Sequence, residues 1–144
     1  MSSLLSIVQN VYGDNWKELY KYAIDQGLTI SVLDSFENPA ISKDDLKELG
    51  VHVLELDIQD SGAFENLSDQ FDAIIHLAAQ VSVPKSIQNP EKNHSVNVRG
   101  TEHILQFAQR NSVKRFIFAS SSAVYGDCET MPLKEDVLGV VQSP

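Results

Sequence analysis

The apolar residues of this chain fall into short β-branched runs that alternate with stretches of helical period. Residues 3–8 (SLLSIV) read as a first strand, and residues 16–26 (WKELYKYAIDQ) as a helix carrying Leu19, Tyr22, Ala23 and Ile24, with Gly27 at its C-terminal stop. Residues 29–33 (TISVL) predict a second strand ending in Asp34. Ser42 is placed to cap a helix through Leu49 that Gly50 ends, and residues 51–56 (VHVLEL) form a third strand ending in Asp57. A short helix is expected over residues 61–68, then a fourth strand over 72–77 (DAIIHL) followed by Ala78, Ala79 and Gln80. Asn89 followed by Pro90 is a helix-start signal, a cap and then a proline in the first turn, for a long helix to about Arg110 carrying Val96, Ile104, Leu105, Phe107 and Ala108. Phe116, Ile117, Phe118 and Ala119 are an unbroken apolar run, the pattern of a strand buried on both faces of a parallel sheet. Strands alternating with helices predict an α/β fold with a doubly wound, mostly parallel sheet of about five strands.

Composition narrows the class. A chain of 144 residues, 42% hydrophobic, can build one domain with a core but not two ordinary ones. Its formal net charge of −9 argues against a nucleic-acid partner, because phosphate backbones are held by clustered Lys and Arg. A single cysteine, Cys128, rules out an intramolecular disulfide and suits a reducing cytoplasm. No apolar run is long enough to span a membrane, and the first residues lack the basic start of a secretory leader. Residues 127–144, with Pro132, Gly139 and Pro144 among several acids, read as an irregular tail.

Three hydroxyls, Ser120, Ser121 and Ser122, stand at the end of the last strand, and in open α/β sheets ligands bind beyond the carboxyl ends of the strands. Taken with the VLDSF and LELDIQD segments upstream, residues 71–127 (FDAIIHLAAQVSVPKSIQNPEKNHSVNVRGTEHILQFAQRNSVKRFIFASSSAVYGD) closely resemble the extended short-chain dehydrogenase/reductases, in particular their NAD-dependent nucleotide-sugar epimerase/dehydratase group. The resemblance implies a Rossmann-like sheet of strand order 3-2-1-4-5. It places Asp34 on the adenosine ribose, where a carboxylate repels a 2′-phosphate and favours NAD over NADP. Asp57 and Ile58 take the positions flanking the adenine, and Leu77, Ala78 and Ala79 those over which the dinucleotide passes. Ala119 falls at the cofactor-side end of the fifth strand. Asn97, in SVNVRGT, matches an asparagine that buttresses the site, and Ser121 matches the hydroxyl that hydrogen-bonds the sugar, with Ser122 as a secondary candidate. His76 is expected to be a hydrogen-bonded core residue, and no metal site is expected. Ser122 and Ala123 stand where dehydratases carry an Asp-Glu pair, which favours 4-epimerase chemistry on a UDP-sugar type substrate.

Two departures qualify this. At family spacing the glycine-rich phosphate loop falls on Asn10, Gly13 and Trp16, of which only Gly13 is a glycine. Trp16 stands where helix and strand pack closely, and Asp14 adds negative charge where a pyrophosphate meets a helix N-terminus, so NAD binding is expected to be weak or lost. The family's Tyr-x-x-x-Lys base pair would begin one residue beyond Pro144, and the C-terminal substrate domain beyond that, so the 144 residues are expected to be inactive alone. The alternative is a non-catalytic module that oligomerises, with homodimer contacts through the 90–110 helix or an unpaired 116–119 edge strand. A flavodoxin-like fold is the remaining alternative, and the 71–127 block argues against it.

Overall fold

The computed structural model describes residues 2–7, 16–37, 39, 41–67, 70–128, 131–137 and 139–140. Strand β1 (Ser2–Ile7) leads to β2 (Leu28–Asp34), β3 (His52–Glu55), β4 (Ala73–His76) and β5 (Arg115–Phe118). All pair in parallel in the order β3-β2-β1-β4-β5, as expected, with β1 in the middle. The chain winds outward from β1 to β3 and then returns to the other side of β1, so the direction of winding reverses between β1 and β4.

The alternation along β2 shows how one strand serves two faces. Ile30 and Val32 point to one side, packing with Leu46 and Val51 and with the helices α1 (Trp16–Asp25) and α2 (Lys43–Glu48) through Tyr20, Ala23, Ile24 and Leu49. Leu33 points to the other side, into the larger core under α5 (Gly100–Arg110), built from Ile74, Val96, Ile104, Phe107 and Ala108. Phe107 is fully buried, its ring 5.6 Å from that of Phe64 and 6.1 Å from that of Phe71. α5 lies close to the segment after β3: a β-carbon on Gly100 would come within 2.6 Å of Ile58 Cδ1, so only glycine lets this helix approach.

Local signals set several boundaries. Ser42 Oγ accepts from the Asp45 amide at 3.1 Å, and α2 runs to Glu48 before Gly50 takes a positive φ. Elsewhere the structure differs from the sequence pattern. On α1 the buried stripe is Tyr20, Ala23 and Ile24, the i, i+3, i+4 set, whereas Leu19 and Tyr22 face outward and are about two-thirds exposed. The helix expected over 61–68 is a single 3-10 turn, Ser61–Phe64. A short helix α3 (Val83–Gln88), capped by Ser82 with Pro84 in its first turn, is not among the expected elements although it carries the same cap-and-proline signature as Asn89–Pro90. The helix expected from Pro90 to Arg110 is α4 (Pro90–His94), a π turn (Ser95–Arg99) and α5 in sequence. Leu105 on it is exposed.

The expectation that the fifth strand is buried on both faces is not met. β5 pairs only with β4 among the described residues; Phe116 packs toward the core, while Ile117 and Phe118 are more than half exposed. An apolar run signals burial by whatever covers it, and here the outer side of the sheet is bare. Among the described residues of 127–140 there is no helix or strand, and no helix of the described residues is long and apolar enough to cross a membrane.

Phe107→Ala is expected to destabilise the fold by about 3–5 kcal/mol, the usual cost of deleting a buried ring. Denaturant unfolding should show a lower midpoint with an unchanged slope.

Candidate functional site

The carboxyl ends of β4 and β5 continue into two segments that face each other across a cleft of about 450 Å³, with α3 and α4 closing its flank. One wall is Leu77, Ala78, Ala79 and Gln80; the other runs from Phe118 through Ala119, Ser120 and Ser121 to Ala123 and Val124. Gln80, Ser86, Asn93, Asn97 and Thr101 add polar atoms, and none of the lining side chains carries a charge. The cleft therefore offers no charged side chain to pair with a phosphate.

Its polar atoms are mostly committed to one another. The Asn97 amide bonds both backbone groups of Gln80: its Oδ1 accepts the Gln80 N–H at 2.7 Å and its Nδ2 donates to the Gln80 carbonyl at 3.1 Å. The second Nδ2 hydrogen goes to Asn93 Oδ1 at 3.0 Å. Asn97 thus clamps the loop after β4 as a neighbouring strand would. The clamp sits in the π turn, and such one-residue insertions re-aim side chains. The Thr101 hydroxyl donates to the Asn97 carbonyl at 2.7 Å, so its oxygen accepts from His76 Nε2 at 2.9 Å. Ser86 donates to the Val83 carbonyl.

Ser121 differs from these. Its Oγ accepts from the Ala123 amide at 3.1 Å, which leaves its proton free to be donated into the cleft. Ser120 also lines the wall, whereas Ser122 begins the 3-10 turn Ser122–Tyr125 and lies outside the lining. The sheet ladder runs one step past β5, from the Ala119 amide to the His76 carbonyl at 3.1 Å, so Ala119 is held against the end of β4.

The two acids predicted at strand ends lie apart from the cleft, on the β2 and β3 side. Asp34 is buried, and its Oδ1 accepts the Phe36 amide at 2.7 Å in a turn that holds Phe36 at positive φ. Burial pushes its pKa up, and the Phe36 amide offsets this only in part. Among the described residues the Phe36 amide is its hydrogen-bond donor, which leaves acceptor capacity on the carboxylate at the strand tip. Asp57 is occupied by its own turn, accepting from the Gln59 amide at 2.9 Å and from Gln59 Nε2. Ile58 turns its side chain into the core against Gly100, and its carbonyl bonds His103 Nδ1, so only the remaining backbone of Ile58 is open to a ligand. Asn10 and Gly13 lie outside the described residues, as does the loop between them. Sequence reasoning missed Gln80, Ser86 and Asn93; for Asn93 the signal was its place one helical turn before Asn97.

The sequence profile of the NAD-dependent epimerase/dehydratase family matches residues 17–142. The chain belongs to that family. UDP-glucose 4-epimerase of Mus musculus is 32% identical over 124 residues, covering 78% of this chain and 36% of that protein. The UDP-Glc/GlcNAc 4-epimerase of Campylobacter jejuni superposes with a TM-score of 0.80 at 27% identity, over 94% of this chain and 42% of the other. The UDP-glucose 4-epimerase of Thermus thermophilus, solved in complex with NAD, shares the fold at a TM-score of 0.82 and 24% identity, over 98% of this chain and 45% of the other. The chain thus spans between a third and a half of the length of these relatives.

His76 is in the core, as expected: it is 1% exposed, its Nδ1 has no partner among the described residues, and burial lowers its pKa to about 4 from an ordinary 6.5. The folded state binds the proton less readily than the unfolded chain, so the neutral ring's contribution is intact above pH 6.5 and is lost as the pH falls toward 4. A shift of this size corresponds to about 3 kcal/mol. His76→Gln is expected to flatten the fall in unfolding free energy over that window. An unchanged slope would place the acid sensitivity elsewhere, with Asp34 contributing in the opposite direction.

Proposed function

We propose that these 144 residues form the dinucleotide-binding half of a nucleotide-sugar 4-epimerase, with NAD lying along the carboxyl edge of the sheet from Asp34 to the cleft beneath Ser121. The observation that carries this is the uncharged cleft beside the winding reversal, with a clamped loop on one wall and the Ser121 hydroxyl able to donate from the other. Asp34 receives the adenosine ribose hydroxyls. Asp57 reaches an adenine amino group by releasing Gln59, and the Ile58 backbone borders the ring. Leu77, Ala78, Ala79 and Ala119, small or flat toward the cleft, leave room for the nicotinamide end, and Asn97 holds that floor in place.

When bound, NAD supplies the hydride acceptor for a sugar carbinol carbon. Ser121 contributes by donating its proton to the oxygen of that carbinol, holding it in line while a base removes the hydroxyl proton. None of the four tyrosines, Tyr12, Tyr20, Tyr22 and Tyr125, has a lysine four positions later, so the base is not among these residues. The absence of an acidic pair at Ser122 and Ala123 leaves no group to expel water, and the outcome is epimerisation rather than dehydration. The exposure of Ile117 and Phe118, on opposite faces of the edge strand β5, favours a second reading, a module that pairs with another copy or chain through that edge. A monodisperse monomer in light scattering at high concentration counts against it.

Calorimetric titration of the 144-residue protein with NAD is expected to give a Kd weaker than about 1 μM, because the phosphate loop lacks two of its three glycines. Asp34→Ala is expected to weaken binding a further tenfold or so, by removing a charged acceptor. Tighter binding contradicts the reading of the loop, and an unchanged Kd in the variant contradicts the placement of the ribose. Added UDP-sugar should produce no absorbance from reduced nicotinamide.

A further inference from the structure

The turn that carries Ser121 has no anchor in the core. Ser122–Tyr125 contains no buried residue, and among the described residues most of its backbone bonds are local: Val124 N–H to the Ser121 carbonyl at 3.2 Å and Gly126 N–H to the Ala123 carbonyl at 3.1 Å. Such a turn, exposed and locally bonded, belongs to the low-stability end of a fold. The contact that reaches it from afar comes from the tail. Gly139 N–H approaches the Val124 carbonyl at 3.4 Å, and at this point two stretches of backbone cross with nothing between them. Gly126 adopts φ +50°, and a β-carbon there would overlap the Val140 carbonyl. A β-carbon on Gly139 would overlap the Tyr125 carbonyl and come within 3.1 Å of the Gly126 nitrogen. The crossing therefore needs glycine on both strands at once.

We infer that Gly126 and Gly139 are positioning residues: their backbone crossing straps the Ser122–Tyr125 turn and so fixes the Ser121 hydroxyl at the cleft wall. The link runs through two hydrogen bonds, the Gly139 amide to the Val124 carbonyl and the Ala123 amide to Ser121 Oγ. If the strap lifts, the turn loses its distant support and the Ala123 amide its fixed acceptor, so the Ser121 proton no longer points one way. The importance of that hydroxyl for chemistry rests on the function proposed above; the mechanical role of the crossing does not.

The test is amide-resolved hydrogen exchange and NMR on the 144-residue protein and on Gly139→Ala and Gly126→Ala, with Gly62→Ala, whose β-carbon would meet only Asp60 Oδ1 at 3.3 Å, as the control. In both crossing variants the amides at positions 123, 124 and 126 are expected to exchange at least about tenfold faster, while Ile30, Val32 and Leu33 in β2 keep their rates. The Ala123 amide resonance should move toward its unstructured position, as it also should in Ser121→Ala, with no loss of unfolding temperature in the crossing variants. Unchanged exchange at Ala123 to Gly126 overturns the inference, and so does an equal acceleration throughout β2, which would make the crossing a general stabiliser. The exchange result decides the strap whether or not wild type binds NAD; failure of the proposed function removes only the chemical importance of Ser121.

Discussion

The hydrogen bonding of one amide, Asn97, to both backbone groups of Gln80 is the constraint on which the edge of this sheet depends. A loop leaving a parallel strand has no ladder partner, and its buried N–H and C=O must be satisfied or cost about 1–3 kcal/mol each. Asn97 supplies a donor and an acceptor in one plane, and Asn93 takes up the hydrogen left over. The loop after β4 can then run flat from Leu77 to Gln80 and leave a cleft above it. That arrangement depends in turn on the helix: the π turn at Ser95–Arg99 aims Asn97, and Gly100 lets α5 settle against Ile58 so that Ile104 and Phe107 reach the core.

Around that clamp the strand order separates two kinds of chemistry. On the β2 side stands a buried carboxylate short of hydrogen bonds; on the β4 and β5 side lies a cleft with no charge in its lining. The placement proposed above sets ribose hydroxyls against the first and the phosphate-free nicotinamide end against the second, and the winding reversal between β1 and β4 is where such crevices open. The membership of the chain in the NAD-dependent epimerase/dehydratase family agrees with this division. The wall bearing Ser121 is held less firmly than the wall bearing Asn97, since its turn buries no side chain.

The sheet was legible because every strand after the first announces itself twice, by an apolar, mostly β-branched or aromatic run and by the residues at its carboxyl end: Asp34, Asp57, the alanines after His76, the serines after Phe118. Helix caps at Ser42 and Asn89 were legible for a related reason, a local side chain answering local backbone. Features that could not be read depend on neighbours distant in sequence. The sequence pattern assigns the apolar stripe of α1 to Leu19, Tyr22, Ala23 and Ile24; Ala23 and Ile24 do pack on the core, but with Tyr20 in place of Leu19 and Tyr22, because the rotation of the helix is decided by the sheet beneath. β5 carries the composition of a buried strand and lies bare at an edge. The π turn leaves no signature in residue type, and the glycines at 126 and 139 do not announce from sequence that they meet. The altered phosphate loop, the sharpest departure in the sequence, falls largely outside the described residues.

The placement of the coenzyme along the strand ends is tested most directly by tracking backbone amide resonances while NAD is titrated into the protein. The account predicts perturbations at two separate places, around Asp34 to Phe36 and around Leu77 to Gln80 with Ala119 to Ser121, and none along the outer face of α1. Shifts confined to one of those places, or centred on Arg115 to Ile117 of β5, would contradict it.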